Sequence, residues 1–522
     1  MSRRRFIGLA AAATGATAVV TVGGLAVTNM LGFGQPGVLL RTGRALPTPF
    51  RMPLPIPPVL KPARSDGTTD CYKITQMVAP IRVFDDVATP AWTYNGSVPG
   101  PTIVSPAGRA IAVTHRNQLA HPVVVHLHGG HTPHHSDGYP TDLILPVGSS
   151  RPGSTMADMP GMPAMSGNQV VGTRTYTYPM HQRAATLWYH DHRMGFTGPN
   201  VWYGLFGMHI VTDEAEASLG LPGGDRDVPL AIVDRAFDAE GRLTYPSIDP
   251  SLVTPGVQSP WMNGVLGDVI LVNGAPWPEM TVHRAAYRFR MLNASNARRY
   301  RLTLDPQPSG GAGFVQIGSD GGLLAAPVAH NAIDIAPGER FDVVVDFSRY
   351  RSGTVVTLRN SLGSGSTAQV MRFVVSGVGT PEPAHIPATL GSVPAPRPAR
   401  ATVTRDFLFE YPVGAGGWRI NGAGYDPRHP LATPKLGKTE LWRFTTEGQH
   451  PVHLHLDHFQ VVERNGKAPG EYDAGFKDTL DLLPSESASV LVTFTDYAGR
   501  FVFHCHNLEH EDMAMMADFI TS

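Results

Sequence analysis

Phe501-Val502-Phe503-His504-Cys505-His506-Asn507-Leu508-Glu509-His510-Glu511-Asp512-Met513-Ala514-Met515-Met516 lies close to the C-terminus. Its apolar opening, Phe501 to Phe503, reads as a buried strand. Neighbouring side chains on a strand point to opposite faces, so Cys505 looks one way and His504 and His506 the other. A thiolate with imidazoles and a weak axial thioether is the ligand set of a blue-copper electron-transfer centre. His510 and Met515, just downstream of Cys505, can complete such a set. The two flanking histidines are then free to hold a second metal centre on the opposite face, joined to the first by a few covalent bonds.

The same pattern recurs along the chain. His126/His128, His190/His192, His453/His455 and His504/His506 are all His-x-His pairs beside apolar runs. Residues two apart on a strand share a face, so each pair can present two imidazoles together. One pair in a chain with 22 histidines carries little weight, but four, one of them straddling a cysteine, form a constellation. His450 adds another imidazole just before His453. No single sandwich end could supply so many, so the N-terminal and C-terminal parts must meet around an interdomain copper cluster. Imidazole alone suits several metals; the thiolate, imidazole and methionine set selects copper.

At 522 residues the chain is too long for one ordinary core. With 56 Gly and 47 Pro among short β-branched runs, it reads as all-β sandwiches with many turns. A net charge of -1 with few charged residues disfavours nucleic acid as a partner, which needs a basic face. Cys505 being claimed by copper, Cys71 is left unpaired and reads as a small buried apolar residue.

Ser2-Arg3-Arg4-Arg5-Phe6-Ile7 and the uncharged stretch behind it resemble a twin-arginine export signal, expected over 1–45. Gly24-Leu25-Ala26 and Gly43-Arg44-Ala45 both offer small residues for cleavage, and the apolar stretch is also long enough to stay as a membrane anchor. Membrane contact is expected only there, and the location is periplasmic, cell-surface or extracellular. A Pro-rich linker follows over 46–69. Sandwich domains are expected over 70–214, 226–378 and 401–522. The break near Leu221-Pro222-Gly223 and the six prolines between Thr380 and Arg400 separate them.

With these runs in hand, the chain resembles a three-domain multicopper oxidase of the bacterial laccase type, like spore-coat protein A and bilirubin oxidase. The resemblance covers nearly everything after the signal. It rests on Trp92-Thr93-Tyr94-Asn95-Gly96, Pro99-Gly100-Pro101-Thr102-Ile103, His126-Leu127-His128-Gly129-Gly130 and Leu187-Trp188-Tyr189-His190-Asp191-His192. It rests equally on Tyr287 to Asn293, His450-Pro451-Val452-His453-Leu454-His455, and His504 to Met516. It implies three cupredoxin-like Greek-key domains, of which the second carries no copper ligand, and about four copper ions per chain.

The resemblance also implies roles. His450, Cys505 and His510 would bind a type 1 copper, with Met515, rather than Met513 or Met516, as axial ligand. His126 and His453 would bind a type 2 copper. His128, His190 and His506 would hold one type 3 copper, and His192, His455 and His504 the other. A phenol, an aromatic amine or Cu(I) would give electrons at an exposed His510, and dioxygen would be reduced to water at the cluster. Glu511 and Asp137 would be either proton donors or structural carboxylates bonded to metal-binding histidines. Glu447 and Gln449 are candidates for the donor pocket rim.

Two features depart from the family. His131, His134 and His135 replace acidic loop residues and read as solvent-facing, with an extra copper or a channel as alternatives. Met156, Met159, Met162 and Met165 resemble the Met-rich segments of copper-efflux oxidases; Pro160 and Pro163 argue against a helix, and both Cu(I) handling and an adaptable apolar loop stay open. Competing functions are a cuprous oxidase for copper tolerance and, in another class, a non-enzymatic copper carrier or structural cupredoxin.

Overall fold

The computed structural model describes residues 37–150, 167–377, 381–412 and 417–522. Residues 1–36 of the expected export signal and the four methionines from 156 to 165 therefore lie outside the described residues. No helix among the described residues is long and apolar enough to cross a membrane.

The fold is all-β, and its sheets pair into three cupredoxin-like sandwiches. In the first, Thr69–Arg82 lies between Ala110–Asn117, a parallel partner, and Ala88–Tyr94, an antiparallel one. The facing sheet runs Gly100–Pro106, Phe206–Thr212, Ala185–Asp191, Val125–His128. In the third, the four-stranded sheet runs Thr479–Leu482, His450–Leu454, Gly499–Cys505, Met516–Thr521. Opposite it, Val403–Glu410, Lys438–Thr446, Ser487–Phe494 and Phe459–Arg464 pair in order. Parallel pairs among otherwise antiparallel strands, such as Gly100–Pro106 with Phe206–Thr212 and Val403–Glu410 with Lys438–Thr446, are what Greek-key crossovers leave behind.

The middle sandwich has the largest apolar core, in which Phe289, Phe341, Val343, Phe347 and Phe373 are all at most 1 % exposed. Its strand Ala286–Asn293 is buried throughout, flanked by Asp227–Arg235 and Arg340–Asp346. Arginines at 288 and 290 on that strand are held by Glu216, Asp227 and Asp342, which is why an apolar strand can carry them.

The segment before the first sandwich is not a free tether. Val38–Leu39 pairs in parallel with Val265–Leu266 of the middle sandwich. Gly43 N donates to Phe237 O (2.7 Å), and the Thr42 backbone N donates to Asp268 Oδ2 (2.9 Å). Leu54 N donates to Glu279 O (2.8 Å) and Leu60 N to Thr102 O (2.8 Å). The prolines keep this stretch extended, and an extended chain can add to a sheet edge wherever the N–H it needs is not a proline's. Cys71 also departs from expectation: it is only partly buried, because it faces Arg64 Nη2 at 3.3 Å on the outer sheet.

Candidate metal centres

Strand register brings the His-x-His pairs face to face. His190 pairs with His126 and Trp188 with His128 across Ala185–Asp191 and Val125–His128. In the third sandwich, His453 pairs with His504 and Val452 with Cys505. The two sandwiches present the same device, two adjacent antiparallel strands with alternate residues turned to one face, and the two faces meet.

Three groups of histidines result, with ligand atoms in each within 4.8 Å of one another: His126, His453 and His455; His128, His190 and His506; His192, His455 and His504. All eight are at most 1 % exposed. Their rings are turned by fixed acceptors on the far nitrogen. His126 Nδ1 donates to Asp137 O (2.5 Å), His190 Nδ1 to Asp191 O (2.8 Å), His453 Nδ1 to Asp478 O (2.9 Å) and His504 Nδ1 to Cys505 O (3.0 Å). His455 Nδ1 donates to Asp137 Oδ2 (2.7 Å). Each bond leaves Nε2 with its lone pair facing inward, the usual way of orienting a metal-binding imidazole. His128 is reversed: Nε2 donates to Asp478 Oδ1 (3.0 Å), leaving Nδ1 inward.

These atoms fit a metal. His128 Nδ1, His190 Nε2 and both nitrogens of His506 are buried without any hydrogen-bond partner, a cost that a bound cation removes. Burial also pushes the imidazoles of His126, His128, His190, His453, His455 and His506 down from their ordinary range, and that of His192 to about 4, so these stay neutral and able to ligate.

The fourth group lies on the other side of Gly499–Cys505. His450 Nδ1 and His510 Nδ1 lie 3.2 and 3.5 Å from Cys505 Sγ and 3.1 Å from each other. Burial pushes the Cys505 thiol well above its ordinary value, so a thiolate here needs a cation beside it. Met515 follows His510 through its backbone N (2.9 Å to His510 O), while its carbonyl accepts from Cys505 N (3.1 Å). It packs in the same apolar cluster as Cys505, whereas Met516 packs with Val124, Leu143 and Phe196 on the other face. Met515 is the fully buried methionine of the cluster that holds the thiol, and Met513, only partly buried, packs against the same cluster.

Asp137 and Glu511 both reach the histidine cluster. Glu511 Oε1 accepts from Thr197 Oγ1 (2.6 Å), and its Oε2 lies 3.2 Å from His504 Nδ1. Asp137 Oδ1 and Glu511 Oε2 have no hydrogen-bond partner. The neighbouring imidazoles His504 and His192 draw the Glu511 carboxyl down against a burial that raises it, while burial pushes Asp137 up.

Several expectations meet corrections here. His510 is buried, at 2 % exposed, because the Trp418 ring lies 3.8 Å from its own. Gln449 is buried too, while Glu447 is exposed and accepts from Tyr411 N (3.3 Å). His134 and His135 face solvent as expected, but His131 does not: Nε2 donates to Asp496 Oδ1 (2.8 Å), and Nδ1 lies 3.3 Å from Asp457 Oδ1. It clamps the first sandwich to the third and belongs to no ligand group among the described residues.

Sequence reasoning missed the contribution of the middle sandwich. Arg340, fully buried, donates from Nε to Thr186 O (2.9 Å) in the first sandwich and from Nη1 to Asp478 Oδ1 (2.7 Å) in the third. Asp478 in turn holds His128. Gly338, at φ +86, leaves room for two ligands: a Cβ there would lie 3.1 Å from His128 Cε1 and His506 Cδ2. A charged pair flanking an apolar run, Glu339-Arg340-Phe341, was the available signal.

Two family models, both described as multicopper oxidase, match this chain, one over residues 392–522 and one over 79–154 and 147–216. A laccase of Bacillus stratosphericus is 37 % identical, over 89 % of this chain and 97 % of its own. A bilirubin oxidase of Albifimbria verrucaria is 34 % identical, over 90 % of this chain and 81 % of its own. Among solved structures, a laccase from Pediococcus acidilactici superposes with a TM-score of 0.79 at 30 % identity, covering 92 % of this chain and 96 % of its own.

Proposed function

This chain belongs to the multicopper oxidase family and is an oxygen-dependent oxidoreductase of the laccase type, and on that premise we propose how its residues divide the work. His450, Cys505 and His510, with Met515, would hold the copper that accepts electrons from a phenolic or aromatic-amine donor. His126 with His453, His128 with His190 and His506, and His192 with His455 and His504 would hold the other three. Copper, when bound, supplies the one-electron carrier on the thiol side and the four-electron reduction of dioxygen on the histidine side. The observation that carries this reading is Cys505: its side chain closes one group, while His504 on the same strand and His506 just past its end belong to the histidine groups on the other side.

The rest is done by the protein. Fixed acceptors at Asp137, Asp191, Asp478 and Cys505 O hold the rings so that few atoms move as charge changes. Asp137 and Glu511 would hold protons beside the cluster. Supporting this, each has one oxygen anchored and the other, Oδ1 and Oε2, buried and unpartnered. Burial excludes bulk water from every ligand.

The test is copper content together with oxygen uptake. About four coppers per chain and uptake with a methoxyphenol support the reading; a strong preference for Cu(I) would move it to a cuprous oxidase. The methionines from 156 to 165 are the sequence feature that favours that second reading. Zero or one copper would point to a carrier.

Export by a twin-arginine route belongs to the same proposal, supported by Ser2 to Ile7. Pairing of Val38–Leu39 with the middle sandwich favours cleavage, where it occurs, near Gly24 to Ala26 rather than after Ala45. The N-terminal mass of the exported protein tests it: a chain starting after residue 45 would refute that choice.

A further inference from the structure

The sulfur-centred group is closed to solvent on the side where an electron donor must come. His510 is 2 % exposed and Trp418 5 % exposed. The two rings lie 3.8 Å apart at a tilt of 34°, close enough for continuous van der Waals contact. Trp418 also lies 5.3 Å from the His450 ring, so one indole covers both imidazoles. It sits just before the short edge strand Arg419–Ile420, which pairs with Phe409 and Glu410, and this places it over the open end of the sandwich. Outside it stands Tyr411, edge-on at 4.9 Å and only partly buried, with exposed Glu447 accepting from the Tyr411 backbone N. His510 Nε2 and Trp418 Nε1, the polar atoms an incoming phenol would address, are both buried.

We propose that Trp418 is the specificity-determining cover of the electron-entry centre: donors dock outside it, by Tyr411 and Glu447, and do not touch His510. The electron crosses the indole, which serves as a packed bridge and is not itself changed. One electron leaves the donor and is taken up at the Cys505 and His510 centre; a phenolic donor gives its proton to solvent. Selection then follows a donor's potential and its fit to the Tyr411 rim rather than its shape against the imidazole. The proposal rests on the reading of His450, Cys505 and His510 as the electron-entry site.

The test compares the copper-loaded parent with Trp418→Ala and Trp418→Phe under anaerobic stopped flow. Bleaching of the blue absorption is followed with two donors: a slender methoxyphenol and hexacyanoferrate(II), too bulky to enter the space an indole leaves. In Trp418→Ala the phenol reaches His510 while the complex loses its bridge. The ratio of the two rate constants is expected to rise about tenfold or more, and in Trp418→Phe to stay within about twofold of the parent. A ratio cancels any loss of folded or loaded protein. A readout apart from electron uptake is the rate at which a copper chelator bleaches the blue absorption aerobically, expected to rise in the Ala variant. An unchanged ratio, or an unchanged chelator rate, overturns the cover while leaving the electron-entry reading intact. A copper-loaded parent with no blue absorption overturns both.

Discussion

Replacing Arg340 by Met tests whether the middle sandwich, which holds no ligand, keeps the cluster together. The guanidinium is 0 % exposed and reaches the Thr186 and Gly338 carbonyls and both oxygens of Asp478. Met fills much of the volume, so the packing loss is small and the electrostatic loss dominates. Asp478, 1 % exposed, would keep Thr479, His458 and His128 as neighbours but lose its cation. Removing one partner of a buried pair costs about 3–5 kcal/mol, because the other charge is left uncompensated. Removing both should cost less, so Arg340→Met with Asp478→Asn is expected to recover about half of that loss. Arg340→Lys should not rescue, since one ammonium cannot reproduce a fork held at the Thr186, Gly338 and Asp320 carbonyls and a carboxylate. The assay is the guanidinium midpoint of the copper-loaded protein, with copper per chain measured on the same samples. A single variant that unfolds at the parent's midpoint with full copper would refute the reasoning, as would a double variant less stable than the single.

Other predictions follow from the same geometry. His131, held by Asp457 and Asp496, has its pKa raised to about 9, above the unfolded value of about 6.5. Its contribution is therefore fully present below about 6.5 and lost as pH rises through about 9; partly exposed Asp496 screens it to a few kcal/mol at most. Stability should fall over that window in the parent and not in His131→Gln, and equal slopes would sink the clamp. Glu511→Gln should keep the blue colour and slow oxygen turnover; unchanged turnover with full copper removes Glu511 from the proton path. Gly338→Ala forces a Cβ to 3.1 Å from two ligand rings at a positive φ, costing about 1–2 kcal/mol in backbone strain alone. It should deplete copper from the histidine cluster while leaving the blue absorption, and full copper content would contradict it.

What could be read from the residues was whatever depends on alternation along a strand. The His-x-His pairs and the two-faced placement of Cys505 follow from a period of two, and the register in the structure sets His126 against His190 and His453 against His504. Met515 and the buried Asp137 and Glu511 came with the family's spacing. What could not be read depends on where distant segments land. Trp418 is 92 positions from His510 and covers it only because an edge strand folds over the sandwich end. His131 reads as a surface residue in the sequence because its partners, Asp457 and Asp496, are more than 300 positions away. Arg340 finds its partners Thr186 and Asp478 more than 130 positions away on either side.

The pairing of Val38–Leu39 with Val265–Leu266 bears on the order of events at the ribosome. The segment that leaves the exit tunnel first must wait for a partner made more than two hundred residues later. Until then it has no sheet edge to join, and the edge at Val265 lacks its neighbour. Loop closure over such a span costs only a few RT more than over a short one, so the delay is set by synthesis and search rather than by stability. Docking of this strap is therefore a late event, and it reports completion of the middle sandwich.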